Sequence, residues 1–176
     1  MQKTFIFLFL ILTHNAFTEV TPPNYNFNLK QLSIFFPGEK LSIVSKSYKN
    51  PILLSDIGED ILYQKYKIIH PNYTFNIYVQ SKDGVILDFF AKLPSYFAHN
   101  LFHQSIIDKF GKQSSFSNKN STSIYKWKLK NNIELIYSGA CTITCFTIYI
   151  TAKSTDKKIE FTPMLDKLVE SEPSSL

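Results

Sequence analysis

His99 and His103 stand four residues apart in a stretch of helical spacing, and two imidazoles at that interval on one helix face can chelate a metal. Asn100, Leu101 and Phe102 lie between them, so the general-base glutamate of the zinc-protease motif is missing. No third ligand is evident, and the reading favoured is a structural or surface pair. His70 precedes Pro71 and is expected in a solvent-exposed loop. The sequence holds no nucleophile-elbow serine, phosphate loop or dinucleotide fingerprint. Five glycines in the whole chain leave little room for close backbone approach to phosphates. Asp56, Glu59 and Asp60 cluster without the calcium-loop pattern or its closing glutamate. Asn72-Tyr73-Thr74 and Asn120-Ser121-Thr122 fit the glycosylation acceptor, at near-chance frequency in a chain so rich in Asn, Ser and Thr. No catalytic constellation emerges, and the expectation is a non-enzyme with no cofactor and no metal.

Cys141 and Cys145 are the two cysteines. Along one extended strand their Cα atoms would lie ~13 Å apart, too far to bond. A disulfide at a hairpin tip forms only if the chain turns between them, just after Ser138-Gly139-Ala140. With no histidine nearby in sequence, the pair is a poor zinc or redox motif.

The residues with binding chemistry are lysines and aromatics on alternating segments. Lys65 and Lys67, then Lys126, Lys128 and Lys130, fall opposite the bulky side chains of their own strands. Ile86, Asp88 and Phe90 share that outward side in one later strand, and Cys145, Thr147 and Tyr149 in another. Tyr78 and Ile136 come from the strands between. An open antiparallel sheet normally leaves one face wet. Aromatics there would serve as low-entropy anchors while lysines steer an acidic partner toward them. The predicted binding residues are therefore Lys65, Lys67, Tyr78, Phe90, Lys126, Lys128, Lys130 and Tyr149. The competing reading is that the lysines merely solubilise the strands while loops or tails cover Phe90 and Ile136.

The elements that would carry these residues recur. Ser42–Asn50 (SIVSKSYKN) returns as Ser105–Gln113 (SIIDKFGKQ), and Gln64–Ile68 (QKYKI) as Tyr125–Leu129 (YKWKL). Phe75–Val79 (FNIYV) returns as Ile133–Tyr137 (IELIY), and Val85–Ala91 (VILDFFA) as Thr144–Ile150 (TCFTIYI). The offset shrinks slightly along the chain, as unequal loops between two copies would require. Each copy opens with a helix, one over 40–48 with Leu41, Val44 and Tyr48 on one face, the other ending at Phe110 before Gly111. Polar loops are predicted over 50–60 and 112–121, each followed by three strands of two-residue alternation. Asp83-Gly84 is a strong hairpin signal.

The expected fold is thus α+β: two tandem helix-plus-three-strand units, 37–93 and 94–153, with helices packed on one face of an antiparallel sheet. Placed side by side, the units could extend one sheet and share a core. Residues 19–36 read as an extended lead-in, and 154–176 as a polar tail with a short helix over 163–170. Residues 1–18 read as a signal peptide: Lys3, the apolar run Phe5–Leu12, and a small-x-small-like site at Ala16-Phe17-Thr18. That run is far short of the ~20 residues a bilayer span needs. The implied location is secreted or periplasmic.

A secreted chain of tandem helix–loop–strand–strand–strand units resembles the bacterial beta-lactamase inhibitory protein family, and its single-unit relatives, the SmpA-like outer-membrane assembly lipoproteins. The resembling stretch runs from Pro37 to about Ala152. It is carried by the two helices, their ends at Tyr48-Lys49-Asn50-Pro51 and Phe110-Gly111-Lys112, and the aromatic first strands with Tyr66 or Trp127. The resemblance implies a disulfide in each unit, whereas here only the second has cysteines. The single-unit relatives are lipid-anchored, and this chain has no lipid-bearing cysteine. The resulting expectation is a non-catalytic binding protein, an inhibitor or accessory factor, for an acidic protein of the envelope or extracellular space. An envelope-assembly or surface-structural factor at a membrane surface is the alternative, and a small metal-dependent enzyme the third. The net charge of +5 favours anionic partners without demanding nucleic acid, which export makes improbable.

Overall fold

The structure is a computed structural model that describes residues 29–54, 60–70, 73–94, 99–119, 122–139 and 148–171. The proposed signal peptide, the first part of the lead-in, Cys141, Cys145 and the last five residues lie outside the described residues. Eight strands are described: β1 (Ile52–Leu53), β2 (Ile61–His70), β3 (Tyr73–Lys82), β4 (Val85–Leu93), β5 (Ser115–Lys119), β6 (Thr122–Leu129), β7 (Ile133–Ser138) and β8 (Ile148–Ser154). They form one antiparallel sheet in the order β1-β2-β3-β4-β8-β7-β6-β5. Four helices flank it: α1 (Leu29–Leu32), which runs into a 3-10 turn at Ser33–Phe35, α2 (Leu41–Ser47), α3 (His99–Phe110) and α4 (Met164–Ser171).

Local chemistry accounts for most of these boundaries. Asp83 (φ 52°) and Gly84 (φ 73°) both adopt left-handed backbone, the conformation of a two-residue hairpin whose twist matches the flanking strands. Asn131 (φ 60°) and Asn132 (φ 53°) turn β6 into β7, because asparagine tolerates this region better than other side chains. Gly111 ends α3 with φ 79° while its N–H donates to the Ile107 carbonyl at 2.7 Å.

Alternation sends Tyr66 and Ile68, Phe75, Ile77 and Val79, Trp127, Leu135 and Tyr137, and Ile148 and Ile150 to one face, where all are buried in one cluster. Each large side chain so buried contributes about 1.5–3 kcal/mol. Leu29, Leu32, Phe35 and Phe36 fill the same cluster. The Phe35 ring meets Tyr66 at 5.7 Å, and the Phe36 ring meets Phe89 at 5.6 Å and Phe110 at 5.8 Å. Residues 29–35 are therefore helical rather than the extended lead-in read from sequence, and with Phe36 they plug the core.

The expectation of two helix-plus-three-strand units, 37–93 and 94–153, with helices on one face is corrected. Six residue pairs join β4 to β8, from Asp88↔Lys153 to Leu93↔Ile148, so the hydrogen-bonded ladder is continuous through the centre. Both segments read as loops supply further strands, β1 and β5, at the two edges. The helices are short and do not share one face: α1, α2 and α3 bury Leu29, Leu32, Val44, Phe102 and Ile106 in the main cluster, whereas α4 buries Met164 in a second cluster on the opposite face.

A bulge decides what that opposite face carries. Gln80 pairs with Asp88 but Ser81 pairs with Ile86, leaving Leu87 as an extra residue. The alternation of β4 slips there. Ile86, predicted outward, is buried in the main cluster, while Leu87, predicted inward, joins the second one. Val85, also predicted inward, is exposed.

Candidate functional site

The strand register brings several predicted binding residues into one row on the second face. Lys65 pairs with Tyr78, Tyr78 with Phe90, Phe90 with Thr151, Thr151 with Ile136, and Ile136 with Lys126. Lysines thus bracket an aromatic centre across six strands. The Phe90 ring lies 6.4 Å from Tyr78 and 5.5 Å from Tyr149, and Lys65 Nζ stands 5.7 Å from the Tyr78 ring centroid. Such aromatic pairs contribute about 0.5–1.5 kcal/mol beyond their buried area. Lys67, one pleat further along β2, is exposed.

The neighbouring row runs Tyr63, Gln80, Asp88, Lys153, Glu134 and Lys128. Lys153 and Glu134 form an ion pair at 3.5 Å. Lys128 is exposed. With Lys130 and Lys109 it lines a cleft of ≈ 880 Å³ at the end of the sheet, where β4 begins and β6 turns into β7. Phe36, Phe110, Leu87 and Ile133 give the cleft an apolar floor, and Glu39 and Asp156 also line it.

Phe90 is not available as an anchor. It is only 3% exposed, because the segment after β8 crosses this half of the face. Ile159, Phe161, Met164 and Leu165 pack with Ile61, Tyr63, Leu87 and Phe90, and Tyr78 and Tyr149 sit partly buried at the border. Ile136 is likewise buried. The sequence had offered coverage by a tail as the competing reading, and for Phe90 that is the arrangement found.

Two buried polar side chains hold the covering segment: Asp88, which sequence placed on the outward side without a role, and Gln80, which sequence did not name. Gln80 Nε2 donates to the Thr162 carbonyl at 2.9 Å, and Asp88 Oδ2 accepts from the Met164 N–H at 2.6 Å. Lys167 Nζ donates to Tyr63 Oη and lies 4.2 Å from the centre of that ring. Asp88 is fully buried, and burial pushes its carboxyl up to about 7, against the lowering effect of the Met164 N–H, Lys167 and Lys153. Asp166 adds a small upward push. Asp88 Oδ1 and Gln80 Oε1 are buried without a hydrogen-bond partner. The available signal was a single aspartate inside the apolar run Val85–Ala91.

His103 belongs to the core side. Its ring packs 4.0 Å from Tyr125 and 5.9 Å from Trp127, and burial lowers its pKa. Among the described residues no group of three or more His, Cys, Asp or Glu could hold a metal ion. The His99 side chain and both cysteines are outside the described residues. The described residues include no helix long and apolar enough to cross a membrane. No protein-family model, curated protein or solved structure matches this chain.

Proposed function

We propose that the chain is a non-catalytic binding protein that engages an acidic protein through the lysine-bordered face of its sheet, in the extracytoplasmic setting that residues 1–18 imply. The observation that carries this reading is the cross-strand row with Lys65 and Lys126 at its ends and Tyr78 and Phe90 between them. Lysine stems cover apolar surface while their ammonium groups stay in water, so this border attracts carboxylates, and the partly exposed Tyr78 and Tyr149 beside it supply contact area. Lys128 and Lys130 extend the basic border into the end cleft. Inhibitor and accessory roles both fit such a surface.

The test is charge reversal on β6. The chain and its Lys126→Glu/Lys128→Glu variant are immobilised and compared for retention of acidic proteins from the native extracellular fraction, at low and high salt. Retention should fall about tenfold or more in the variant, and wild-type retention should fall as salt screens the lysines. Equal, salt-independent retention by both chains would refute the reading.

A further inference from the structure

The segment on the second face is itself a seated ligand, and its composition describes what that face accepts. Residues 159–167 read Ile-Glu-Phe-Thr-Pro-Met-Leu-Asp-Lys. Phe161, Met164 and Leu165 supply the apolar contacts with Leu87 and Phe90. Glu160 and Asp166 flank those anchors with carboxylates, and Lys167 follows with the ammonium that meets Tyr63. We propose that this segment is a displaceable strap occupying in cis the site its partner takes, and that the partner enters with a segment carrying the same aromatic and Met/Leu anchors between carboxylates. The inference rests on reading the face as the binding surface and adds the partner's chemistry and its control.

Three observations favour displacement over a permanent core contact. The strap's cluster is separate from the main one and shares none of its buried residues, so lifting the strap leaves the larger core intact. Its polar attachments among the described residues include one bond from Gln80, one to Asp88, and the Lys167–Tyr63 contact. The Asp88–Gln80 pair beneath it keeps two buried oxygens without a partner, and such groups cost free energy that water restores on opening. Tethering raises the strap's effective concentration, so a segment in trans competes poorly until the anchors are weakened.

The probe is a fluorescent synthetic peptide of residues 157–171, titrated into the full chain and into full-length Phe161→Ala/Met164→Ala while anisotropy is followed. The variant should bind at least about tenfold more tightly than wild type. Equal binding by the two chains, or binding by neither, overturns the strap. Should the variant fail to fold, hydrogen exchange on the wild-type chain decides. The Met164 amide should exchange at least about a hundredfold faster than that of Ile150 in the centre of the sheet, and equal protection overturns the proposal. The two readings fail separately. Peptide binding that tightens as expected, with capture indifferent to Lys126→Glu/Lys128→Glu, leaves the strap and removes the acidic-partner face. The reverse pattern does the opposite.

Discussion

Replacing Asp88 by asparagine should make the protein more stable above neutral pH and leave it unchanged in acid. Asp88 is fully buried, and its carboxyl is raised from 3.8 to about 7, mainly by that burial. A carboxyl whose folded pKa exceeds its unfolded one binds more protons when folded. Its contribution is therefore most favourable below about pH 4 and is lost as pH rises through about 7. At about 1.4 kcal/mol per pH unit of displacement, ionising Asp88 in place costs up to about 4 kcal/mol. Opening of the covering segment would relieve part of that cost, so this is an upper bound. Asparagine stays neutral throughout, and its oxygen can accept from the Met164 N–H and from Gln80 Nε2 as the carboxylate oxygen does. Urea denaturation of both chains from about pH 4 to about pH 8 isolates the effect as a difference, which cancels the other titrating groups. The difference should lie near zero at the acid end and grow to several kcal/mol in favour of Asp88→Asn at the alkaline end. A difference that does not change with pH, or a variant weaker than wild type at about pH 8, would refute the assignment of a costly buried carboxylate.

Trp127→Ala should destabilise the fold by about 3–5 kcal/mol in the same urea assay followed by circular dichroism, since it empties a fully buried site and removes the 2.8 Å bond from Nε1 to the Gly111 carbonyl. A loss under about 1 kcal/mol would show that the site collapses or is not packed. Gly84→Ala should cost about 1 kcal/mol although nothing lies within 4 Å of the added methyl, because the position has φ +73°. Thermal denaturation checks it, and an unchanged midpoint would place the turn in a different conformation.

Much of the core face was legible because alternation is a local property. Tyr66, Ile68, Phe75, Ile77, Val79, Leu135 and Tyr137 all fall where their spacing puts them. The phase fails at Leu87 because a bulge inserts one residue, and nothing in Val85–Ala91 marks the slip. β1 and β5 were missed for another reason. β1 is only two residues long, too short to show a pattern, and Ser115–Lys119 has only Phe116 as a large apolar residue. The pairing of β4 with β8 joins segments far apart in sequence, so no window along the chain can display it. The lysine row was readable, because Lys65 and Lys126 sit on the faces that alternation assigns. The covering of Phe90 depends on where a distant segment lands, and the pattern of β4 holds no information about that. Asp88 escaped for the same reason: alternation places it on its correct, outward side, and its burial comes from the distant segment above it.

The central seam has a consequence for how this chain acquires its shape. Asp88 meets Lys153, 153 − 88 = 65 residues later, so β4 has no partner on that side until almost the whole polypeptide has emerged. Hairpins such as β2–β3 and β3–β4 close within short stretches, whereas the β4–β8 ladder must close a long loop first. Until then the strongly apolar β4 presents a bare row of amide and carbonyl groups, an invitation to pair with another nascent copy. Any shortened chain ending ahead of β8 would keep that edge permanently open, and its fate is to clump rather than to function as a smaller version of the protein.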